Sequence, residues 1–90
     1  MKTVKVILSG IVQGVFFRKL IKEKADGLEI KGFVRNLDDG NVEIVAEGED
    51  GKVNELLKIC EEGPAHADIK NVEVKDMKHQ GFDSFKILSL

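Results

Sequence analysis

Residues 10–18 read Gly10-Ile11-Val12-Gln13-Gly14-Val15-Phe16-Phe17-Arg18, and the change of period across them decides the fold. Before this stretch, Val4, Val6 and Leu8 alternate with Lys5, Ile7 and Ser9, the two-residue period of a strand with one buried face. After it, Phe17, Leu20, Ile21, Ala25 and Leu28 recur at helical spacing, while Lys19, Lys22, Glu23 and Asp26 fill the opposite face. A strand over residues 2–9 therefore passes through two glycines into a helix over 16–26. Gly10 and Gly14 permit backbone conformations that a Cβ would forbid, so neighbouring N–H groups can converge on an anion where the helix begins. Gly27 suits the left-handed position that ends the helix.

Outward from this stretch, residues 30–36 read as a second strand, with Ile30, Gly32 and Val34 on one face, Lys31, Phe33 and Arg35 on the other, and Asn36 at the far end. Leu37 to Asn41 hold the chemistry of a tight hairpin turn, in which Asp38 and Asp39 shape the backbone. In a third strand, Val42, Ile44 and Ala46 alternate with Glu43, Val45 and Glu47. Asp50 can cap a second helix whose buried stripe is Val53, Leu56, Leu57 and Cys60, and Gly63-Pro64 closes it. Val72 and Val74 lie on a fourth strand. After a turn near Gln80-Gly81, Phe85 and Ile87 form a short fifth.

This order predicts an α+β fold, a ferredoxin-like two-layer sandwich: βαββαβ with a short extra strand, an antiparallel sheet covered by two helices on one face. The other face is left to solvent or a partner. Strand one runs up into the glycine loop, the helix returns, and strand two runs up again to Asn36. The loop and Asn36 thus share one end of the sheet, the end that the connection from Gly63 to Ala67 also reaches.

Ninety residues form one domain, 1–90, burying about 60 to 65% of the unfolded surface, so any site sits at an edge. Fourteen basic against 16 acidic residues argue against a broad nucleic-acid or membrane footprint, though a local positive site is compatible with them. Lys31-Gly32-Phe33-Val34 echoes the start of an RNA-binding motif, but it lies on strand two and lacks the second aromatic residue. The one cysteine, Cys60, has no partner for an internal disulfide, no opening apolar h-region with a cleavage site precedes the first strand, and no apolar run approaches roughly 18 residues. A cytoplasmic location is expected. His66, His79 and Cys60 are too widely spaced for a zinc pattern, and neither metal nor cofactor is expected. Cys60 reads as a core residue, His66 as a rim residue near the active end, and His79 as a turn residue.

Arg18 falls in the first turn of the first helix. A guanidinium there can grip two phosphoryl oxygens while the helix start adds partial positive charge. Residues 10–18 lack the Gly-Lys-Ser/Thr ending of a nucleotide-binding loop. Taken alone, the loop is an ordinary turn, Arg18 a solvated helix residue and Asn36 a strand-end residue; jointly those plain readings are poor. Phe17 continues the helix stripe and Phe16 walls the site.

These residues resemble the acylphosphatase family. Gly10 to Arg18 is similar to that family's signature Gly-x-Val-Gln-Gly-Val-x-Phe/Tyr-Arg, and Gly32-Phe33-Val34-Arg35-Asn36-Leu37-Asp38-Asp39-Gly40-Asn41-Val42, continuing to Gly48, is similar to the second. Many members have glycine at the position of Glu29 and tryptophan or tyrosine at that of Phe33. Glu29 falls at the opposite end of the sheet from the loop.

The resemblance implies a hydrolase that cleaves carboxyl-phosphate bonds without metal, giving a carboxylate and inorganic phosphate. It implies that Arg18 binds phosphate, that Asn36 positions the attacking water, and that the N–H groups of Gln13, Gly14, Val15, Phe16, Phe17 and Arg18 cradle the phosphoryl oxygens. Such chemistry needs charge stabilisation and an aligned nucleophile, and a leaving carboxylate with a pKa of roughly 4 needs no general acid. The partners implied are a small acyl phosphate as substrate and inorganic phosphate as product and inhibitor, acting on a monomer. A noncatalytic anion-binding module of the same family is the alternative.

Overall fold

The alternating apolar residues become five strands, and the two amphipathic stripes become helices above them. The computed structural model describes residues 1–11, 15–63 and 68–88. Its elements are β1 (Lys2–Ile11), α1 (Val15–Gly27), β2 (Lys31–Asn36), β3 (Val42–Gly48), α2 (Asp50–Glu62), β4 (Asp68–Asp76) and β5 (Phe85–Leu88). Gln13, Gly14, His66 and the connection beyond Gly63 lie outside the described residues.

The strands are ordered β4-β1-β3-β2-β5. Antiparallel pairing runs through the first four, with Val6 opposite Ile44 and Val74, and Val34 opposite Ile44. The fifth strand adds itself parallel to β2, Gly32 beside Phe85 and Val34 beside Ile87, so the sheet is mixed at this edge. Val4, Val6, Leu8, Val34 and Ile44 form the sheet side of the core. Phe17, Ile21 and Ala25 of α1 and Val53, Leu56 and Cys60 of α2 close it from above.

Two glycines are fixed by close backbone approach. Gly10 has φ 123°, and a Cβ there would lie 2.0 Å from the Asp68 carbonyl oxygen, beside a register shift between Ser9 and Gly10. Gly32 has φ 138°, and its Cβ would meet the Val45 carbonyl oxygen at 1.8 Å. Any side chain at either position would separate paired strands.

Three details differ from the sequence reading. Gly27 belongs to α1, and the left-handed residue is Glu29, with φ 58°. Ile30 N–H bonds to the Ala25 carbonyl (2.8 Å) and Glu29 N–H to that of Asp26 (3.1 Å), the two bonds of a Schellman motif. Burial of Ala25 and Ile30 fixes where this cap closes, two residues later than glycine alone suggests. At α2, Glu49 holds the N-cap position without a side-chain cap bond. Asp50 is already helical and pairs with the Met1 amino group at 3.2 Å.

The third detail concerns the face away from the helices. Because β4 and β5 occupy opposite edges, residues 77–84 must cross the sheet, and they do so over this face. Met77 N–H bonds to the Thr3 carbonyl (2.8 Å), and the Phe82 ring meets that of Phe33 edge-on at 6.0 Å. Glu47, expected to face outward, is 2% exposed beneath the crossing. Its carboxylate accepts hydrogen bonds from Thr3 Oγ1 (2.7 Å) and from the N–H groups of Gln80 (2.6 Å), Gly81 (3.0 Å) and Phe82 (3.2 Å).

Candidate active site

Strand direction assembles the site. β1 and β2 both run antiparallel to β3 and therefore end together, and β5, parallel to β2, ends there too. β4 begins at the same end, with Asp68 opposite Ile11, and α1 starts at Val15, four residues beyond Ile11. One end of the sheet thus gathers the start of a helix, the ends of three strands and the starts of two.

Asn36 is the last residue of β2, opposite Val42. Side chains two apart on a strand share a face, so Asn36 lies on the side of Val34, which is buried under the helices. Its Oδ1 is buried and accepts no hydrogen bond among the described residues. Burying a carbonyl oxygen without a donor is costly, and such a group in a native fold marks a place where a donor is wanted.

Arg18 lies in the first turn of α1, half-buried, and its Nη1 donates to the Leu88 carbonyl oxygen at 3.4 Å. Leu88 pairs with Arg35, the residue before Asn36. The guanidinium is therefore held over the ends of β5 and β2, on the side of the sheet that Asn36 faces. Arg35 is nearer to Asn36 in sequence but belongs to the other face. There its Nε bonds to Glu43 Oε1 (2.7 Å) and its guanidinium stands 5.8 Å from the centre of the Phe33 ring.

The first turn of α1 carries no acidic side chain that would compete for its N–H groups. A helix that begins at Val15 cannot satisfy the N–H groups of its first turn from within, which leaves them for an anion. Phe17 turns into the core at 5% exposure, as expected of a residue on the helix stripe, and Phe16 stands 69% exposed. Gln13 and Gly14, the other expected cradle residues, lie outside the described residues, as does His66.

The remaining reactive groups serve structure. Burial, with a smaller contribution from the charge of Glu61, pushes the Cys60 thiol up to about 12, so the sulfur is a core atom. Asp39 accepts from the Asn41 backbone N–H (3.0 Å) and side-chain amide (3.2 Å), shaping the hairpin as expected. His79 lies on the crossing segment with Nδ1 3.3 Å from Glu47 Oε2. Among the described residues, no three His, Cys, Asp or Glu side chains stand together so as to hold a metal ion, and no helix is long and apolar enough to cross a membrane. Sequence reasoning missed the Leu88 carbonyl that seats Arg18. No residue pattern signals it, because it arises from the pairing of β5.

Comparison with known proteins bears on this arrangement. Residues 4–87 match the sequence model of the family described as Acylphosphatase. A Rubrobacter xylanophilus protein named Acylphosphatase is 52% identical over 80 residues, covering 89% of this chain and 73% of its own length. The crystal structure of acylphosphatase from Bacillus subtilis has a TM-score of 0.93 at 31% identity, covering 99% of this chain and all of the other. HypF from T. kodakarensis, with a TM-score of 0.83 and 34% identity, contains a similar region that makes up 12% of its chain.

Proposed function

Because this chain belongs to the acylphosphatase family of enzymes, whose activity is the hydrolysis of acyl phosphates, we propose that it performs that reaction as a single domain, with Arg18 and Asn36 as its catalytic residues. The observation that supports this reading is the Arg18 Nη1 bond to the carbonyl of Leu88, which pairs with Arg35 beside Asn36, whose Oδ1 is buried at the end of β2. The Arg18 guanidinium grips two oxygens of the phosphoryl group, and the amides of Gln13, Gly14, Val15, Phe16, Phe17 and Arg18 surround it. As phosphorus is attacked, charge spreads over the equatorial oxygens, and fixed donors stabilise it without reorganising.

Asn36 Oδ1 accepts an O–H of the nucleophilic water and turns the water's lone pair towards phosphorus. A new bond forms between water oxygen and phosphorus, while the bond from phosphorus to the acyl oxygen breaks in line with it. The electron pair leaves with the carboxylate, which is stable unprotonated at neutral pH. The water proton passes to an oxygen of the substrate's own phosphoryl group. None of these steps asks for a metal or a cofactor. The products are a carboxylate and inorganic phosphate, and the latter competes with substrate for the same cradle. The enzyme acts as a monomer in the cytoplasm.

Turnover of acetyl phosphate and of a phosphate monoester, measured with metal chelated, tests the assignment. The native chain should cleave the first and spare the second. Arg18→Ala should lose phosphate binding and turnover together, with kcat/KM down about 10²- to 10³-fold or more. Unchanged activity in that variant would remove Arg18 from the mechanism. A noncatalytic anion-binding module is the reading that the match inside the longer HypF chain favours, and phosphate binding without turnover by the native chain would select it.

A further inference from the structure

We infer that the groove between α1 and β5 is an acyl subsite, and that Leu20 and Ile87 make the enzyme selective for acyl phosphates with an extended apolar chain. This rests on the acyl-phosphate reading above. The groove has a volume of about 550 Å³, within the range of small-molecule sites. Phe16, Leu20 and Ile87 give it an apolar lining, and Lys19, Lys22, Glu23 and Asp26 stand along it.

Two observations identify the occupant. The first is continuity. The groove opens at Phe16, which contributes its amide to the proposed cradle and leaves its ring 69% exposed. A phosphoryl group held at the first turn of α1 therefore directs whatever is attached to it past that ring. A large exposed aromatic at the mouth of an apolar groove is a place for apolar ligand atoms. The second is charge balance: two lysines, Lys19 and Lys22, stand along the groove with two carboxylates, Glu23 and Asp26, and Lys22 Nζ is tied to Asp26 Oδ2 (2.8 Å) and to the Phe85 carbonyl (3.1 Å). The lining therefore carries no net formal charge, which suits an uncharged chain better than a second anion.

Reach sets the selectivity. Four residues of helix separate Phe16 from Leu20, a rise of about 6 Å. An acetyl group stops beside Phe16, whereas an acyl chain of about six carbons extends to Leu20 and Ile87 and leaves water there. Hydrophobic contact of this size discriminates by roughly ten- to a hundredfold.

The test compares hexanoyl phosphate with acetyl phosphate on the native chain, on Leu20→Gln and on Ile87→Thr. Glutamine keeps helix propensity and threonine keeps strand propensity, and far-UV circular dichroism verifies that each variant folds. The native chain should favour hexanoyl phosphate in kcat/KM by about tenfold or more, chiefly through a lower KM. Leu20→Gln should bring the ratio near one while acetyl phosphate turnover stays native, and Ile87→Thr should reduce it in the same sense. Equal efficiency on both substrates in the native chain overturns the subsite alone, whereas no turnover of acetyl phosphate strikes the enzymatic reading beneath it. Equal losses on both substrates in both variants would give these residues a purely structural role and overturn the proposal. Dissociation of a dimer in Leu20→Gln, with the substrate ratio unchanged, would give the groove to a second copy of the chain and do the same.

Discussion

Glu47 and Asn36 stand near opposite ends of the same sheet, and each is a buried oxygen acceptor with a different fate. Glu47 is fully supplied: three consecutive backbone N–H groups and the Thr3 hydroxyl converge on its carboxylate. It is an anion in an amide cradle, covalently part of the chain, and it fastens residues 77–84 across the sheet. Asn36 Oδ1 has no donor among the described residues, and the first turn of α1 nearby carries no carboxylate. The same donor chemistry therefore welds one end, and under the proposed function it serves exchange at the other. What separates the two is whether the chain places its own carboxylate within reach.

The contrast yields its largest expected effect at Asn36. Asn36→Ala should lower kcat by about 10²-fold or more while leaving phosphate affinity and Tm near native, because it removes the water's orientation and a buried group that was unsatisfied. A variant that retains native kcat would break the contrast, since Asn36 would then be an ordinary strand end. At the other end, Glu47→Gln should leave kcat unchanged but cost about 2–4 kcal/mol of stability, or roughly 10–20 °C in Tm, by turning an amide NH₂ towards N–H donors.

The pH dependence of that loss sharpens the same comparison. Burial raises the Glu47 carboxyl, but the N–H groups of Gln80, Phe82 and Gly81 and the Thr3 hydroxyl outweigh it, so its pKa falls below the usual glutamate range. A carboxyl depressed by folding contributes stability above its unfolded pKa and loses it as pH drops through the folded one. The Tm gap between native chain and Glu47→Gln should be full at neutral pH and should close in acid below the ordinary glutamate pKa. A gap independent of pH would mean that packing rather than charge holds the crossing.

Smaller again is the expected effect of ligand. Inorganic phosphate should raise Tm by an amount set by its concentration over its Kd, in Glu47→Gln as in the native chain but not in Arg18→Ala. Stabilisation of Arg18→Ala to the native extent would place the anion elsewhere. The smallest change is Glu29→Gly, which relieves a left-handed conformation unfavourable to a side chain and should raise Tm by a few degrees. The exposed Lys52 to Glu29 pair that it removes (2.9 Å) offsets little of this.

Much of this architecture was legible because it is local. Val4, Val6 and Leu8 announce a strand, and Phe17, Ile21 and Ala25 a helix face, through period alone. Those assignments place Arg18 and Asn36 at one end before any coordinate is known. The left-handed position falls at Glu29 rather than Gly27, because a glycine is the stronger local turn signal while the actual cap is set by burial of Ile30. The burial of Glu47 could not be read, because its donors are backbone groups 33 to 35 residues away. The seat of Arg18 was hidden for the same reason, since every residue possesses a carbonyl and only strand pairing selects that of Leu88.

If Arg18 acts as proposed, that seat ties catalysis to the docking of an edge strand. Arg18 and Leu88 are 70 residues apart, and the strand carrying Leu88 can dock beside β2 only after the chain has crossed the whole sheet. Contacts so distant in sequence carry a large loop-closure entropy and form late and slowly. On the proposed role of Arg18, hydrolytic competence waits on the docking of this strand. A chain whose helices are formed and whose core is collapsed, but whose edge strand is still undocked, would look nearly native to spectroscopy while its arginine remained unseated.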